Sequence, residues 1–372
     1  MAATRHFQLG APRGFSITAQ GTHVVFLRSD HGRDAVNSLW LFDVAANVER
    51  KLADPRELLA DSNDIPDAER ARRERMRETT SGITSYSLDD AGSHLAFALA
   101  GQLYAVTVQT GAVNQLAVPG PIIDPQVSPD GQFIAWSDGK DVFTADFDGS
   151  NARALTSETA SNVAWGLADF IAAEEFGRMR GMWWSPQSDA LLVERVDETN
   201  VETWWISDPA NPHLPPREQR YPQCGTTNAN VSLFLISLDG SSREISWDNN
   251  AYEYLISVSW QEGRAPLVTV ANRSQTEFIV NIIEDHVLRT VHAISDPEFV
   301  EVISGQPKWV GNELLTVQDN RLTDTREIHI GERCISPIGL QVMSVIDATE
   351  THVDVVATTN AVDRAVMRIG HD

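Results

Sequence analysis

The sequence is poor in cysteine and in long apolar runs. It has two cysteines among 372 residues, Cys224 and Cys334, which is too few for a disulfide framework. We interpret both as free thiols in a reducing compartment, although one long-range disulfide is the open alternative. No apolar run is long enough for a transmembrane helix. The segment from Met1 to Leu9 lacks the apolar core of a secretory signal, so the cytoplasm is the simplest location.

Basic residues are also scarce. Lysine and arginine number 29 against 52 aspartates and glutamates, and the net charge is −23. This charge argues against nucleic-acid binding, which depends on basic patches. Such acidity commonly serves solubility; it would also concentrate peptides with a positive N-terminus, and charge alone leaves both interpretations open. The 10 histidines show no close ligand spacing such as H-E-x-x-H, so the sequence predicts no metal site and no cofactor.

What the chain does contain is a repeated unit, in which a turn precedes a short apolar strand. The turns are rich in Pro, Asp, Asn and Gly, which favour tight turns. Clear copies are residues 16–21 before 24–27, 87–92 before 95–98, 128–131 before 133–136, and 185–188 before 191–193. Units of roughly 35 to 60 residues with several short strands are typical of a β-propeller of four-stranded blades. A single sandwich, the alternative, rarely needs so many strands.

We therefore predict an all-β propeller domain over residues 1–372 with about seven blade-like units. One segment departs from this pattern, because residues 66–78 combine high helix propensity with alternating charge. It predicts a short, solvent-facing helix inserted at about residues 64–80, after the first blade. The tryptophans fall mostly on predicted strands, and we interpret them as packing between blades.

The most informative motif is Glu174-Glu175-Phe176-Gly177-Arg178, which precedes the G-M-W-W-S-P stretch at 181–186. Other distinctive blocks follow or precede it in the chain. They are G-I-T-S-Y at 82–86, R-Y-P at 220–222 with Gly225, Thr226, Asn228 and Val231, and N-R-S-Q-T at 272–276. In this order the blocks resemble the N-terminal propeller of the dipeptidyl peptidase IV family, most of all its cytosolic members. The resemblance covers nearly the whole chain.

The resemblance implies an eight-bladed propeller that caps a serine-type α/β-hydrolase domain and admits peptides from which Xaa-Pro or Xaa-Ala dipeptides are released. This sequence has no G-x-S-x-G stretch, so it lacks the strained turn that presents a nucleophilic serine. We expect no peptidase activity from this chain alone. The implied partners are peptides with a free N-terminus, the protein's own C-terminal hydrolase domain and, at full length, a second copy. The alternative is a stand-alone propeller that acts as a binding or scaffold module.

The resemblance also implies two groups of site residues. Glu174 and Glu175 would hold the peptide's N-terminal ammonium, and Arg73, Arg75 or Arg77 would contact the carbonyl of its second residue. On a continuous helix Arg73 and Arg77 share one face, whereas Arg75 points away. Simpler interpretations stand beside these. The two glutamates would be solvated residues at a helix start, and the arginines would belong to a salt-bridged surface helix with Glu69, Glu74 and Glu78.

Overall fold

The computed structural model describes residues 2–58, 65–360 and 362–371. Its tertiary contacts divide the chain into two compact units, Met1–Glu244 and Ile245–Asp372. Antiparallel sheets make up most of both units. The few helical segments are the 3-10 turn Ala2–Thr4 and the helices α1 (Pro55–Leu58), α2 (Asp67–Arg75) and α3 (Phe170–Glu175). None of the described helices has the length and apolar content that crossing a membrane demands.

Three sheets of the first unit follow one another in chain order, and in each of them four consecutive strands pair antiparallel. The first contains β1 (Arg13–Ile17), β2 (His23–Ser29), β3 (Val36–Asp43) and β4 (Val48–Ala53), with β5 (Ser81–Gly82) parallel to β3. The second contains β6 (Ser87–Leu88), β7 (His94–Leu99), β8 (Gln102–Thr107) and β9 (Ala112–Leu116). The third contains β10 (Ile123–Val127), β11 (Phe133–Ser137), β12 (Val142–Asp146) and β13 (Arg153–Ala154).

The fourth sheet of the first unit is interrupted by inserted segments. It contains β14 (Val163–Trp165), β15 (Met182–Trp184), β16 (Ala190–Asp197), β19 (Asn230–Ser237) and β20 (Ser242–Ile245). Both β14 and β15 pair with β16, and α3 lies in the connection between them. A separate two-stranded ribbon of β17 (Thr203–Ile206) and β18 (Arg217–Arg220) is inserted before β19.

The second unit contains two four-stranded sheets and a final sheet of three strands. Its sheets contain β21 (Tyr254–Ser259), β22 (Leu267–Ala271), β23 (Glu277–Glu284) and β24 (Val287–Ser295); β25 (Lys308–Val310), β26 (Glu313–Asn320), β27 (Thr325–Ile330) and β28 (Arg333–Cys334); and β29 (Gln341–Ala348), β30 (His352–Thr358) and β31 (Ala365–Gly370). The prediction of four-stranded blades is confirmed. The apolar strands predicted at 24–27, 95–98, 133–136 and 191–193 lie within β2, β7, β11 and β16.

Successive sheets within a unit share their apolar cores. Val25 and Leu39 of the first sheet belong to one buried cluster with Leu95 and Phe97 of the second. The same holds for the second and third sheets, for the third and fourth, and for the last two sheets of the second unit. Alternate residues of each strand face such a cluster, because side chains of a strand alternate between its two faces.

The predicted charged helix is present as α2, but two details of the prediction are wrong. The helix is shorter than residues 66–78, because Arg77 adopts a left-handed backbone with φ of 52°. It is also not solvent-facing, since Glu69, Arg72 and Arg73 are buried. Their burial is tolerated because these side chains pair with one another.

The tryptophans range from fully buried to exposed. Trp136 is fully buried, stacks on Phe143 and donates its indole N–H to the carbonyl oxygen of Pro119 at 3.1 Å. The packing interpretation therefore holds for Trp136. It is wrong for Trp204 and Trp205, whose exposed fractions are 42% and 64%, because their strand belongs to the two-stranded ribbon and not to a blade.

Candidate functional site

Glu174 and Glu175 are the last two residues of α3, whose start is set by Asp169. The Asp169 carboxylate accepts hydrogen bonds from the backbone N–H groups of Ile171 at 2.9 Å and Ala172 at 3.2 Å, as an N-cap residue does. Ala172 is buried, whereas both glutamates are exposed. The cap therefore starts a short helix that ends with two adjacent carboxylates in solvent.

This position contradicts the interpretation of Glu174 and Glu175 as helix-start residues. The C-terminal end of a helix carries a partial negative charge, so carboxylates gain nothing from the helix dipole there. Within the described part of the chain neither glutamate forms an ion pair. Gly177 follows in a left-handed backbone with φ of 65° and turns the chain away. Two neighbouring carboxylates without an internal counter-charge are suited to bind an external cation.

A buried arginine holds the connection that carries α3. Arg178 donates from Nη2 to Glu194 Oε1 at 3.1 Å, and its Nη1 makes a second, very short contact with Glu194 Oε2. Arg178 Nη2 also lies 3.5 Å from Asp169 Oδ2, and the Asp169 N–H donates to Glu194 Oε1 at 3.3 Å. The residues before and after α3 are therefore both bound to one carboxylate of β16.

At Gly181 the segment that follows α3 packs directly against the segment that precedes α3. A Cβ atom at this position would lie 2.5 Å from the backbone of Leu167, and the neighbouring Arg180 forms an isolated bridge with Leu167. Only glycine allows backbones to approach so closely. The first glycine of the G-M-W-W-S-P stretch thus has a packing role in the connection that carries the two glutamates.

Burial perturbs the carboxyl group at the centre of this cluster. The Glu194 side chain is fully buried, and loss of hydration raises its pKa to about 7, although the nearby Arg178 acts in the opposite direction. Glu194 is therefore protonated more readily than an exposed glutamate. Protonation would weaken the charge-assisted bonds to Arg178.

Of the three candidate arginines, only Arg75 is placed against α3. Its guanidinium carbon lies 5.5 Å from the ring centroid of Phe170, the first residue of α3, and its side chain is half-buried. Arg73 is buried and donates from Nε to Glu69 Oε1 at 2.8 Å. Arg77 is exposed and lies outside α2. The expected pairing of Arg73 and Arg77 on one helix face is therefore wrong.

The helix α2 is anchored to the sheet through Asp124 of β10. Arg72 donates from Nη2 to Asp124 Oδ1 at 3.1 Å and also pairs with Glu69 at 3.3 Å. Arg180, which follows α3, places its Nε 3.8 Å from Asp124 Oδ2. One carboxylate thus contacts both α2 and the segment after α3. The shared Asp124 carboxylate therefore helps to fix the position of Arg75, on α2, relative to α3.

Glu198 completes the charged surroundings of Arg75. Burial raises the pKa of Glu198, and the positive charges of Arg75 and Arg220 oppose this shift. The Phe170 ring, which Arg75 contacts on α3, also contacts Tyr221 edge-to-face at a centroid distance of 5.2 Å. The cluster joins α2, α3 and the R-Y-P block of residues 220–222.

Sequence reasoning missed Asp124, Glu194 and Glu198. All three lie in or beside a predominantly apolar strand, and none belongs to a recognisable motif. A charged residue on a strand that otherwise reads as apolar is the one signal that could have drawn attention to Glu194. The R-Y-P block was noted, but its contact with α3 depends on tertiary structure.

The sequence also matches known proteins. The family model described as the dipeptidyl peptidase IV (DPP IV) N-terminal region matches residues 88–364, more than half of the chain. The chain belongs to this family. A putative dipeptidyl aminopeptidase of Schizosaccharomyces pombe is 28% identical over 229 residues, and human dipeptidyl peptidase 8 is 26% identical over 254 residues.

In both relatives the match covers 57% of this chain but only 28% of the relative. The crystal structure of Porphyromonas gingivalis dipeptidyl peptidase 4 superposes with a TM-score of 0.75 and 19% identity, covering 96% of this chain and 52% of that one. This likeness confirms the propeller fold. The chain thus spans about a quarter of the curated relatives and about half of the solved structure.

The raised pKa of Glu194 predicts a pH-dependent stability. Between its ordinary value of 4.5 and about 7, the folded protein keeps a proton that the unfolded chain has lost. The contribution of Glu194 to the free energy of unfolding is fully present below pH 4.5 and is lost as the pH rises through about 7. We expect the free energy of unfolding to fall by up to about 1.4 kcal/mol per pH unit in this window relative to Glu194→Gln.

Urea denaturation of both proteins at a series of pH values measures this difference. Glutamine keeps the shape of Glu194 but cannot titrate, so it isolates the proton-linked part. Parallel pH curves for the two proteins would show that Glu194 has an ordinary pKa.

Proposed function

We propose that this chain is the N-terminus-recognition and substrate-gating propeller of a serine-type dipeptidyl aminopeptidase that releases Xaa-Pro or Xaa-Ala dipeptides. The observation that carries this proposal is the exposed carboxylate pair Glu174–Glu175, which has no ion-pair partner among the described residues and ends a helix held by buried Arg178. Membership in the dipeptidyl peptidase IV N-terminal region family supports it. Catalysis itself belongs, in this proposal, to a C-terminal hydrolase domain of the full-length protein.

The chemistry of the pair suits a peptide's free N-terminus. An α-ammonium group offers three N–H donors and is protonated below about pH 8. Each carboxylate would accept a charge-assisted hydrogen bond, worth on the order of 1.5–3 kcal/mol before desolvation. An acylated N-terminus has no charge and carries extra atoms where the glutamates stand. The pair therefore selects chain ends and fixes the distance from the ammonium to the cleaved bond.

We assign the contact with the peptide carbonyl to Arg75. Its guanidinium lies over the ring of Phe170, the first residue of α3, and its charge interacts with the Glu198 carboxyl. Arg73 is engaged by Glu69, and Arg77 is directed by a different backbone conformation. A guanidinium in a fixed position is a good donor to a carbonyl oxygen. The peptide would lie between the end of α3 and Arg75.

The surroundings of the full-length protein are part of the same proposal. Its substrates are peptides with a free N-terminus, its location is the cytoplasm, and it forms a homodimer. The net charge of −23 fits the peptide part of this proposal, because a negative field attracts positively charged chain ends.

The carboxylate pair predicts discrimination between free and acylated peptides. We expect wild-type protein to bind Ala-Pro-Ala at least about tenfold more tightly than its N-acetylated form, a difference of about 1.4 kcal/mol. Glu174→Gln and Glu175→Gln should each weaken binding of the free peptide, and the double variant should bind both peptides equally. Isothermal titration calorimetry provides these affinities.

The matched control is Glu262→Gln, which neutralises an exposed glutamate elsewhere and should leave the discrimination intact. If the double variant still prefers the free N-terminus, the ammonium is bound elsewhere and the proposed function fails. Wild-type protein that binds neither peptide would also contradict the proposal and would favour a scaffold module.

The assignment of Arg75 predicts a difference between neighbouring arginines. Arg75→Ala should weaken binding of the free tripeptide about tenfold, because it removes a charged donor to the substrate carbonyl. Arg77→Ala removes the same charge from an exposed position and should change the affinity less than about twofold. Equal effects in the calorimetric titration would indicate a general electrostatic contribution and contradict the assignment.

A further inference from the structure

A second cluster of reactive side chains lies in the second unit, away from α3 in sequence. Glu327 and His329 belong to β27, and Cys334 belongs to β28. A carboxylate oxygen, a ring nitrogen and the sulfur of these residues all lie within 4.8 Å of one another. The cluster follows from the strand geometry. Residues two apart on a strand share a face, and His329 pairs directly with Cys334 across the hairpin.

The three donor types together are suited to a borderline-soft divalent cation. Carboxylate, imidazole and thiolate are ligands that Zn²⁺ uses, at distances of about 2.0–2.3 Å. Ligand atoms around one tetrahedral ion are therefore about 3.5 Å apart. Because each side chain can rotate, donor atoms within 4.8 Å can converge on one ion without moving the strands. Three protein ligands leave the fourth position for water.

The neighbouring Asn320 side chain orients the Glu327 carboxylate towards the proposed metal position. Asn320 donates from Nδ2 to Glu327 Oε1 at 2.8 Å, which leaves Oε2 3.6 Å from His329 Nε2. Such partners of a ligand fix its direction and raise metal affinity. The hydrogen bond from Asn320 thus supplies the outer support that a metal site requires.

The basic residues of this hairpin are engaged elsewhere. Arg326 pairs with Asp319 at 3.2 Å and with Glu301 at 3.5 Å, and Arg333 donates to the carbonyl oxygen of His371 at 2.5 Å. Within the described ranges Glu327 forms an ion pair only with His329. A cation entering the cluster therefore displaces no lysine or arginine.

We propose that Glu327, His329 and Cys334 bind one Zn²⁺ ion, which cross-links the outer strand β28 to β27. This proposal does not depend on the peptide site. It revises the prediction of no metal site, which rested on the lack of H-E-x-x-H or other close ligand spacing among the histidines. The sequence signals for this site are the E-x-H spacing on one strand and a cysteine opposite the histidine in the hairpin.

The experiment is a titration of the metal-free full chain with Zn²⁺ and, separately, with Co²⁺. We expect one ion per chain at micromolar concentration by calorimetry, and a thiolate-to-cobalt charge-transfer band in the near-ultraviolet. Zn²⁺ should also raise the thermal midpoint. Cys334→Ser should abolish the band, and His329→Ala and Glu327→Gln should each weaken Zn²⁺ binding at least about tenfold while Glu327→Gln keeps the band.

The matched control is Cys224→Ser, since Cys224 is the second free, exposed cysteine and lies far from the hairpin in sequence. Its affinity and spectrum should equal those of the wild type. Binding only at millimolar metal, a spectrum without the thiolate band, or equal losses in Cys224→Ser and Cys334→Ser would each overturn the proposal. Cys334 is exposed, so its replacement by serine tests metal binding without disturbing the core.

Discussion

The buried ion pair between Arg178 and Glu194 is the interaction on which the candidate site depends. Removing one member would leave an uncompensated charge in the interior, which costs several kcal/mol. Asp169 is joined to the same pair, so separating the two ends of the segment that carries α3 would break these bonds. The helix that ends with Glu174 and Glu175 is therefore held on both sides by buried charged groups.

The sheets and the inserted helices contribute differently to the site. The sheets supply rigid strands, and Asp124 and Glu194 project from two of them. The helices α2 and α3 carry the groups that would meet a ligand. Arg72 of α2 binds the Asp124 carboxylate, and Arg178, which follows α3, binds the Glu194 carboxylate. Binding residues on short insertions over a rigid scaffold are a common arrangement. The buried carboxylates that join the two parts are as important to the proposed function as the exposed ones.

Much of the fold could be predicted from the sequence, because alternating apolar residues and turn residues specify strands locally. The blades and the charged helix follow from such patterns. The site could be predicted only as a set of residues. The end of α3 at Glu174 and Glu175 and the position of Arg77 beyond α2 depend on where a helix stops. The interaction between the charges of Glu198 and Arg75 depends on tertiary structure. The prediction that Trp204 and Trp205 pack between blades failed for the same reason, since a ribbon strand and a blade strand look alike in sequence.

The most direct test of this account is the peptide affinity of Arg178→Met, measured in protein that circular dichroism shows to be folded. The account predicts that free Ala-Pro-Ala and its N-acetylated form bind with nearly equal, weak affinity, although Glu174 and Glu175 are both present. An unchanged preference for the free peptide would show that the carboxylates are positioned without the buried ion pair, and would contradict the account.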